Sequence, residues 1–216
     1  MDSIFLEDLN KYEKELKKRL PYPYVWGRKQ NDYYNGRTDF IYKIFNFDKL
    51  LEIIDENFLG REDYKDYFNY SINRWFNFWS AMAVEKIFCS FPSVTAEVNS
   101  WNKLVDFEIQ GIKFDHKTSV FPRRYPKSIE FALDNHRDLI NWLYENQSQQ
   151  QRKHLKNRLF IVLYDKNGSQ WKLRAEIIFL RKLIEKYVNN FDEAKLLKFS
   201  FKNNEPTLSD IIWAIK

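Results

Sequence analysis

The chain has 216 residues, a net charge of +5 from 35 Lys and Arg against 30 Asp and Glu, and 7 Trp, 13 Tyr and 19 Phe. That size suits one domain with a solid aromatic core. The single Cys89 excludes an internal disulfide and a Cys-rich zinc site, no apolar run reaches the roughly 18 residues of a membrane span, and the charged start MDSIFLEDLNKYEKELKKRL does not read as a secretory signal. The expectation is a soluble cytoplasmic protein, with a pI of about 9.0 that suits a polyanion partner.

Residues 3–19 predict an amphipathic helix, with Phe5, Leu9, Tyr12 and Leu16 at helical spacing and Pro21 beyond its end. Residues 21–38, PYPYVWGRKQNDYYNGRT, read as a loop in which aromatic side chains interleave with Arg28, Lys29 and Arg37. Such a loop can grip nucleic acid by stacking and phosphate contact, or simply pack. A second helix is expected over 47–58 and a third, rich in Trp and Phe, over about 67–89. Residues 93–99 alternate like a short strand, and two more strands flank Gly111. A helix is expected over 128–146, followed by a polar connector and the apolar run 159–164, which suits a strand buried on both faces. Lys166-Asn167-Gly168-Ser169 predicts a turn, with 171–177 returning as a strand, helices over 177–190 and 207–215, and a short strand at 198–202 between them. The fold class is α/β or α+β: a mixed sheet of four to six strands flanked by helices, in a single domain. Residues 1–66 form an N-terminal extension, 67–165 the core and 166–216 the closing elements.

The stretch VDFEIQGIKFDHKTSVFP, residues 105–122, concentrates the chemistry. With Gln110-Gly111 as a two-residue hairpin turn, Ile109 faces Ile112, Phe107 faces Phe114 and Val105 faces His116 on one side of the sheet. On the other side Glu108 faces Lys113, Asp106 faces Asp115, and Lys117 lies two residues further on. Directly opposed residues have Cβ atoms roughly 4.5–5.5 Å apart. Two carboxylates that close repel unless a proton or a cation sits between them. Mg²⁺, a hard cation bound through one or two carboxylates plus water and phosphate, fits that need, and a lysine at the rim can steady developing negative charge.

Asp106, eight intervening residues and then Asp115-His116-Lys117 resemble the PD-(D/E)xK nuclease superfamily, the restriction-endonuclease-like fold. The expected order of helix, three strands, helix and strand across about 70–165 is similar to that fold's core, although Val105 stands where the motif has proline. The triplet recurs at Glu15-Leu16-Lys17, Asp63-Tyr64-Lys65 and Glu193-Ala194-Lys195, but only Asp115 has an acid placed across a hairpin from it. The resemblance implies a Mg²⁺-dependent endonuclease, with Mn²⁺ as a substitute, that hydrolyses double-stranded DNA as a homodimer. Asp106, Asp115 and the backbone carbonyl of His116 would hold the metal, Glu85 from the preceding helix would assist, and Lys117 would orient the attacking water.

Arg123, Arg124 and Lys127 follow this segment and are expected to contact the DNA backbone; Arg152, Lys153, His154, Lys156 and Arg158 form a second basic cluster. Glu97 reads as a surface carboxylate, and His116, His136 and Cys89 read as packed residues. The sequence has no Gly-rich phosphate loop and no G-x-S-x-G elbow. The alternatives are a non-catalytic nucleic-acid-binding module on the same scaffold, or a structural subunit that docks through its aromatic N-terminal third.

Overall fold

The computed structural model describes residues 3–98, 105–146, 156–201 and 206–216. The elements run α1 (Ser3–Lys18), α2 (Asp32–Arg37), α3 (Phe47–Phe58), α4 (Tyr64–Phe88), β1 (Val94–Ala96), β2 (Phe107–Ile109), β3 (Ile112–Val120), α5 (Ile129–Asp134), α6 (His136–Asn146), β4 (Arg158–Tyr164), α7 (Ile177–Asn189), β5 (Leu197–Phe199) and β6 (Thr207–Ile215), with short 3₁₀ turns at Asp39–Tyr42, Gln170–Ala175 and Glu193–Lys195.

The chain divides into two compact units, one of residues 1–84 and 174–179, the other of 85–173 and 180–216. The boundary falls inside α4 at 84/85, where the sequence places a core edge at 66/67. The first unit is helical and built on rings. Trp75, Tyr67, Tyr70 and Phe76 are fully buried along α4, and Tyr67 stacks on Phe58 of α3 with centroids 4.1 Å apart. Buried Arg19 closes the loop after α1 by donating to the Tyr22 and Pro23 carbonyls and to Asn73 Oδ1.

The second unit holds a six-stranded mixed sheet in the order β1-β2-β3-β4-β6-β5. β1, β2 and β3 form an antiparallel meander; β3, β4 and β6 run parallel; β5 closes the far edge antiparallel to β6. The hairpin register is the expected one: Phe107 opposite Phe114, Glu108 opposite Lys113, Ile109 opposite Ile112. Gln110 and Gly111 both have positive φ, 49° and 89°, the backbone a two-residue hairpin turn requires. One face of the sheet carries Phe160, Val162 and Ile211 against Leu139, Ile140, Leu143 and Tyr144 of α6. On the other, Phe107 stacks on Phe88 of α4 and Phe114 meets Phe191 just after α7.

Four sequence expectations need correction. Residues 207–215 are a strand, not a helix. Leu208, Ile211, Ile212 and Ile215 match the helical template, but the segment pairs with β4 over seven positions and is buried on both faces. Residues 171–177 are not a strand: Lys172 N–H donates to the Ser169 carbonyl at 2.9 Å, opening a 3₁₀ turn that leads into α7. An alternation of only four apolar residues fits a tight turn as well as a strand. The helix expected over 128–146 breaks at Asn135, which leaves helical geometry (φ −132°, ψ 58°) and donates its side chain to the Phe131 carbonyl. The 21–38 loop contains α2, capped by the Asn31 side chain accepting from Tyr34 N–H. Among the described residues no helix is long and apolar enough to cross a membrane.

Candidate active site

Asp106 sits one residue before β2, and its N–H donates to the Phe114 carbonyl at 2.8 Å, one residue out of the Phe107–Phe114 register. This bulge ends the regular ladder, so the directly opposed Asp106–Asp115 pair expected from the sequence does not form and the Asp106 carboxylate meets His116 instead. Its Oδ2 accepts from His116 N–H and lies against His116 Nδ1, each at 2.7 Å. Burial works to raise the Asp106 pKa, but the His116 ring and backbone outweigh it and hold the carboxyl below its ordinary value. The ionised carboxylate fixes the proton on Nδ1 of the imidazole. His116 itself is buried among Phe107 and Phe88, with ring centroids 6.0 and 6.3 Å away, as a packed histidine should be. Its N–H and C=O project to the same side of an extended strand, so the carbonyl also faces the edge where Asp106 lies.

Asp115 is on β3, and its carboxyl is close enough to Asp106 for each to shift the other's pKa. Burial raises its pKa, the Arg158 guanidinium lowers it and the Asp106 charge raises it again; the balance is upward. Of the two aspartates, Asp106 is therefore the stronger acid. Glu85, in the last turn of α4, is raised by burial and then by Asp106. The Cys89 thiol one turn on is pushed up to about 11 by burial, with Glu85 and Asp106 adding to it, which suits a packed thiol and not a nucleophile. Asp106 is thus the centre of a half-buried acidic group that takes in Glu85 and Asp115.

Arg158 is the residue whose role sequence reasoning missed. It opens β4 directly beside Asp115 in the parallel register, and its Nε and Nη2 grip Asp115 Oδ2 at 2.6 and 2.5 Å. The sequence places it in a basic cluster that reads equally as a solvated connector or a phosphate contact. The only hint of another fate is its place immediately before the apolar run; the β3–β4 register is nonlocal and cannot be read from spacing. Asn157 supports the arrangement. Its carbonyl accepts from Asp115 N–H, its Nδ2 donates to the Lys113 carbonyl, and its Oδ1 accepts from Leu208 N–H, tying together the starts of β3, β4 and β6.

Lys117 is two residues past Asp115, exposed and on the same face. Arg123 and Arg124 are exposed but follow the far end of β3; the five steps from Asp115 to Val120 span roughly 16 Å. Closeness in sequence to the acidic pair thus does not bring them beside it. Lys127 is held by Asp138 at 2.7 Å and lies over the Phe131 ring. Arg28, Lys29 and Arg37 belong to the first unit: Arg28 pairs with Asp66 at 2.7 Å, Arg37 lies over the Tyr33 ring at 4.7 Å, and Lys29 is exposed. His136 accepts from Trp213 Nε1 at 2.9 Å, a packing role. Arg152, Lys153 and His154 lie outside the described residues.

Among the described residues no three His, Cys, Asp or Glu side chains are arranged to hold a metal ion by themselves. The donor set is instead two carboxylates with a backbone carbonyl on the same edge, all hard oxygens. Comparison with protein-family models, curated proteins and solved structures finds no match for this chain.

Proposed function

We propose that this protein is a divalent-metal-dependent endonuclease that hydrolyses phosphodiester bonds in double-stranded DNA, acting as a homodimer. The observation that carries the reading is a pair of partly buried carboxyls, Asp106 just before β2 and Asp115 on β3, close enough for each to shift the other's pKa. A raised Asp115 beside a depressed Asp106 is a site short of positive charge, and a hard cation relieves that repulsion. The element order α4, β1, β2, β3, α5–α6, β4, with β4 parallel to β3, further supports it, being the order the resemblance implies.

Asp106, Asp115 and the His116 carbonyl would hold Mg²⁺, or Mn²⁺ in its place, and the ion would supply polarisation of the phosphate and a more acidic bound water. The protein's own contributions are distinct. His116 clamps Asp106 as an ionised acceptor through two hydrogen bonds. Glu85, already raised toward the neutral form, is suited to hold a proton near Asp106. Lys117, on the Asp115 face, is placed to orient water or steady phosphate charge. Plasmid incubated with Mg²⁺ should be nicked or linearised by the wild type, and not by Asp115→Ala or Lys117→Ala. Equal cutting by all three, or none by any, overturns the reading.

One observation favours a second reading. Arg158 already neutralises Asp115 through two nitrogens, as in a scaffold that binds nucleic acid without a metal. In that case DNA binding is salt-sensitive, needs no divalent ion, and tightens when Asp106 and Asp115 are both replaced by Asn.

A further inference from the structure

The first unit carries a cavity of about 330 Å³, within the range of about 300–1,000 Å³ typical of small-molecule sites. Its apolar walls are three rings: Trp26, Tyr42 and Phe78. Tyr42 and Phe78 pack edge to face at 4.7 Å, and Trp26 is braced edge-on by Tyr70 at 5.7 Å. The polar lining is three side-chain amides, Gln30, Asn35 and Asn77. Asn77 Oδ1 is buried away from solvent, so the amide open to an occupant is that of exposed Gln30. The lining cation, Arg74, is already committed: it donates to the Asn35 carbonyl, Thr38 Oγ1, Asp39 Oδ1 and the Tyr42 hydroxyl at 2.6 to 3.0 Å. Arg74 therefore fixes the wall in place and leaves the cavity without spare charge.

Flat rings for walls, amides that both donate and accept, and no unpaired charge select a neutral planar heterocycle with a hydrogen-bonding edge. The segment that supplies Trp26, Gln30 and Asn35 also carries exposed Arg28, Lys29 and Arg37, cations suited to the phosphates on either side of such a ring. We infer that this cavity is a nucleobase pocket that receives a single unstacked base of a nucleic-acid strand, stacked on Trp26 and read by the Gln30 amide. The inference concerns the substrate of the nuclease reading, and it stands apart from the metal site.

The test is fluorescence anisotropy of a labelled single-stranded DNA 12-mer in EDTA, where no cleavage occurs, beside the same strand built from abasic sugar-phosphate units. Trp26→Ala should weaken binding of the base-bearing strand by about tenfold or more, the loss of one stacked base, while Trp26→Phe retains most of it. Neither substitution should change binding of the abasic strand. Gln30→Ala, on an exposed loop position, should weaken only the base-bearing strand and serves if Trp26→Ala does not fold. Asp115→Ala should leave all these affinities unreduced, so that failure of the nuclease reading and failure of the pocket are told apart. Deoxynucleoside monophosphates in the same titration separate the sources. Competition at similar concentration marks a free nucleotide as occupant, and its absence marks a base held on a strand. Equal loss on base-bearing and abasic strands, or no loss with either variant, overturns the inference.

Discussion

Two polar clusters, one in each compact unit, are built on opposite principles. Around Arg74 every nitrogen-to-oxygen contact is complementary: one guanidinium meets a carbonyl, two hydroxyls and a carboxylate. Around Asp106 like charges are pressed together, and both Glu85 and Asp115 are driven toward the protonated form. A satisfied network of the first kind rigidifies a wall; a frustrated one of the second kind stores free energy that a bound cation can release. The difference identifies the acidic cluster as the place to look for chemistry and the Arg74 cluster as a frame.

The sharpest way to probe that contrast is to remove each arginine. Arg158→Ala leaves Asp115 beside Asp106 without its ion-pair partner, and should cost about 3 kcal/mol in chemical denaturation. The pair's side chains are only 17% and 22% exposed, so screening reduces this little. Added Mg²⁺ should recover more stability in Arg158→Ala than in the wild type; a variant as stable as wild type without metal would mean that Asp115 is not under strain. Arg74→Ala, which orphans several oxygens but creates no like-charge contact, should cost about 2 kcal/mol and show no recovery with Mg²⁺.

Glu85→Gln should act the other way. Removing a charge disfavoured by burial and by Asp106 should stabilise the metal-free protein by about 1 kcal/mol while lowering any cleavage activity. A loss of stability would show that Glu85 is held by a favourable partner.

Acid titration gives the smallest and most specific effect. The Asp106 carboxyl is depressed, so its contribution is fully present above its unfolded value of about 3.9 and is lost as pH falls through the lower folded value. Glu85 and Asp115 are raised, so in their window the native state binds more protons than the unfolded chain. Their effect is a loss of stability as pH rises from about 4 through their folded values. Glu85→Gln should flatten this decline and Asp106→Asn the acid limb, measured as the midpoint of urea unfolding against pH.

The hairpin was legible because its determinants are local. A Gln-Gly turn at positive φ fixes the register from Ile109–Ile112 to Phe107–Phe114; beyond it a bulge turns Asp106 toward the His116 ring, off the face that a period of two assigns it. What escaped depends on partners far along the chain. β6 carries Leu208, Ile211, Ile212 and Ile215 at helical spacing and becomes a strand only because β4 lies beside it. Arg158 reads as one member of a basic connector until the parallel register sets it against Asp115. The break at Asn135 turns on a single side chain capping its own helix, a signal too weak to separate from an ordinary interior asparagine.

Calorimetric titration of Mg²⁺ and Mn²⁺ into the wild type and into the folded Asp106→Asn/Asp115→Asn double variant tests the central claim most directly. A cation shared between the two strands predicts saturable binding by the wild type that disappears in the double variant. Identical heats from both proteins, or no binding by either, would contradict it.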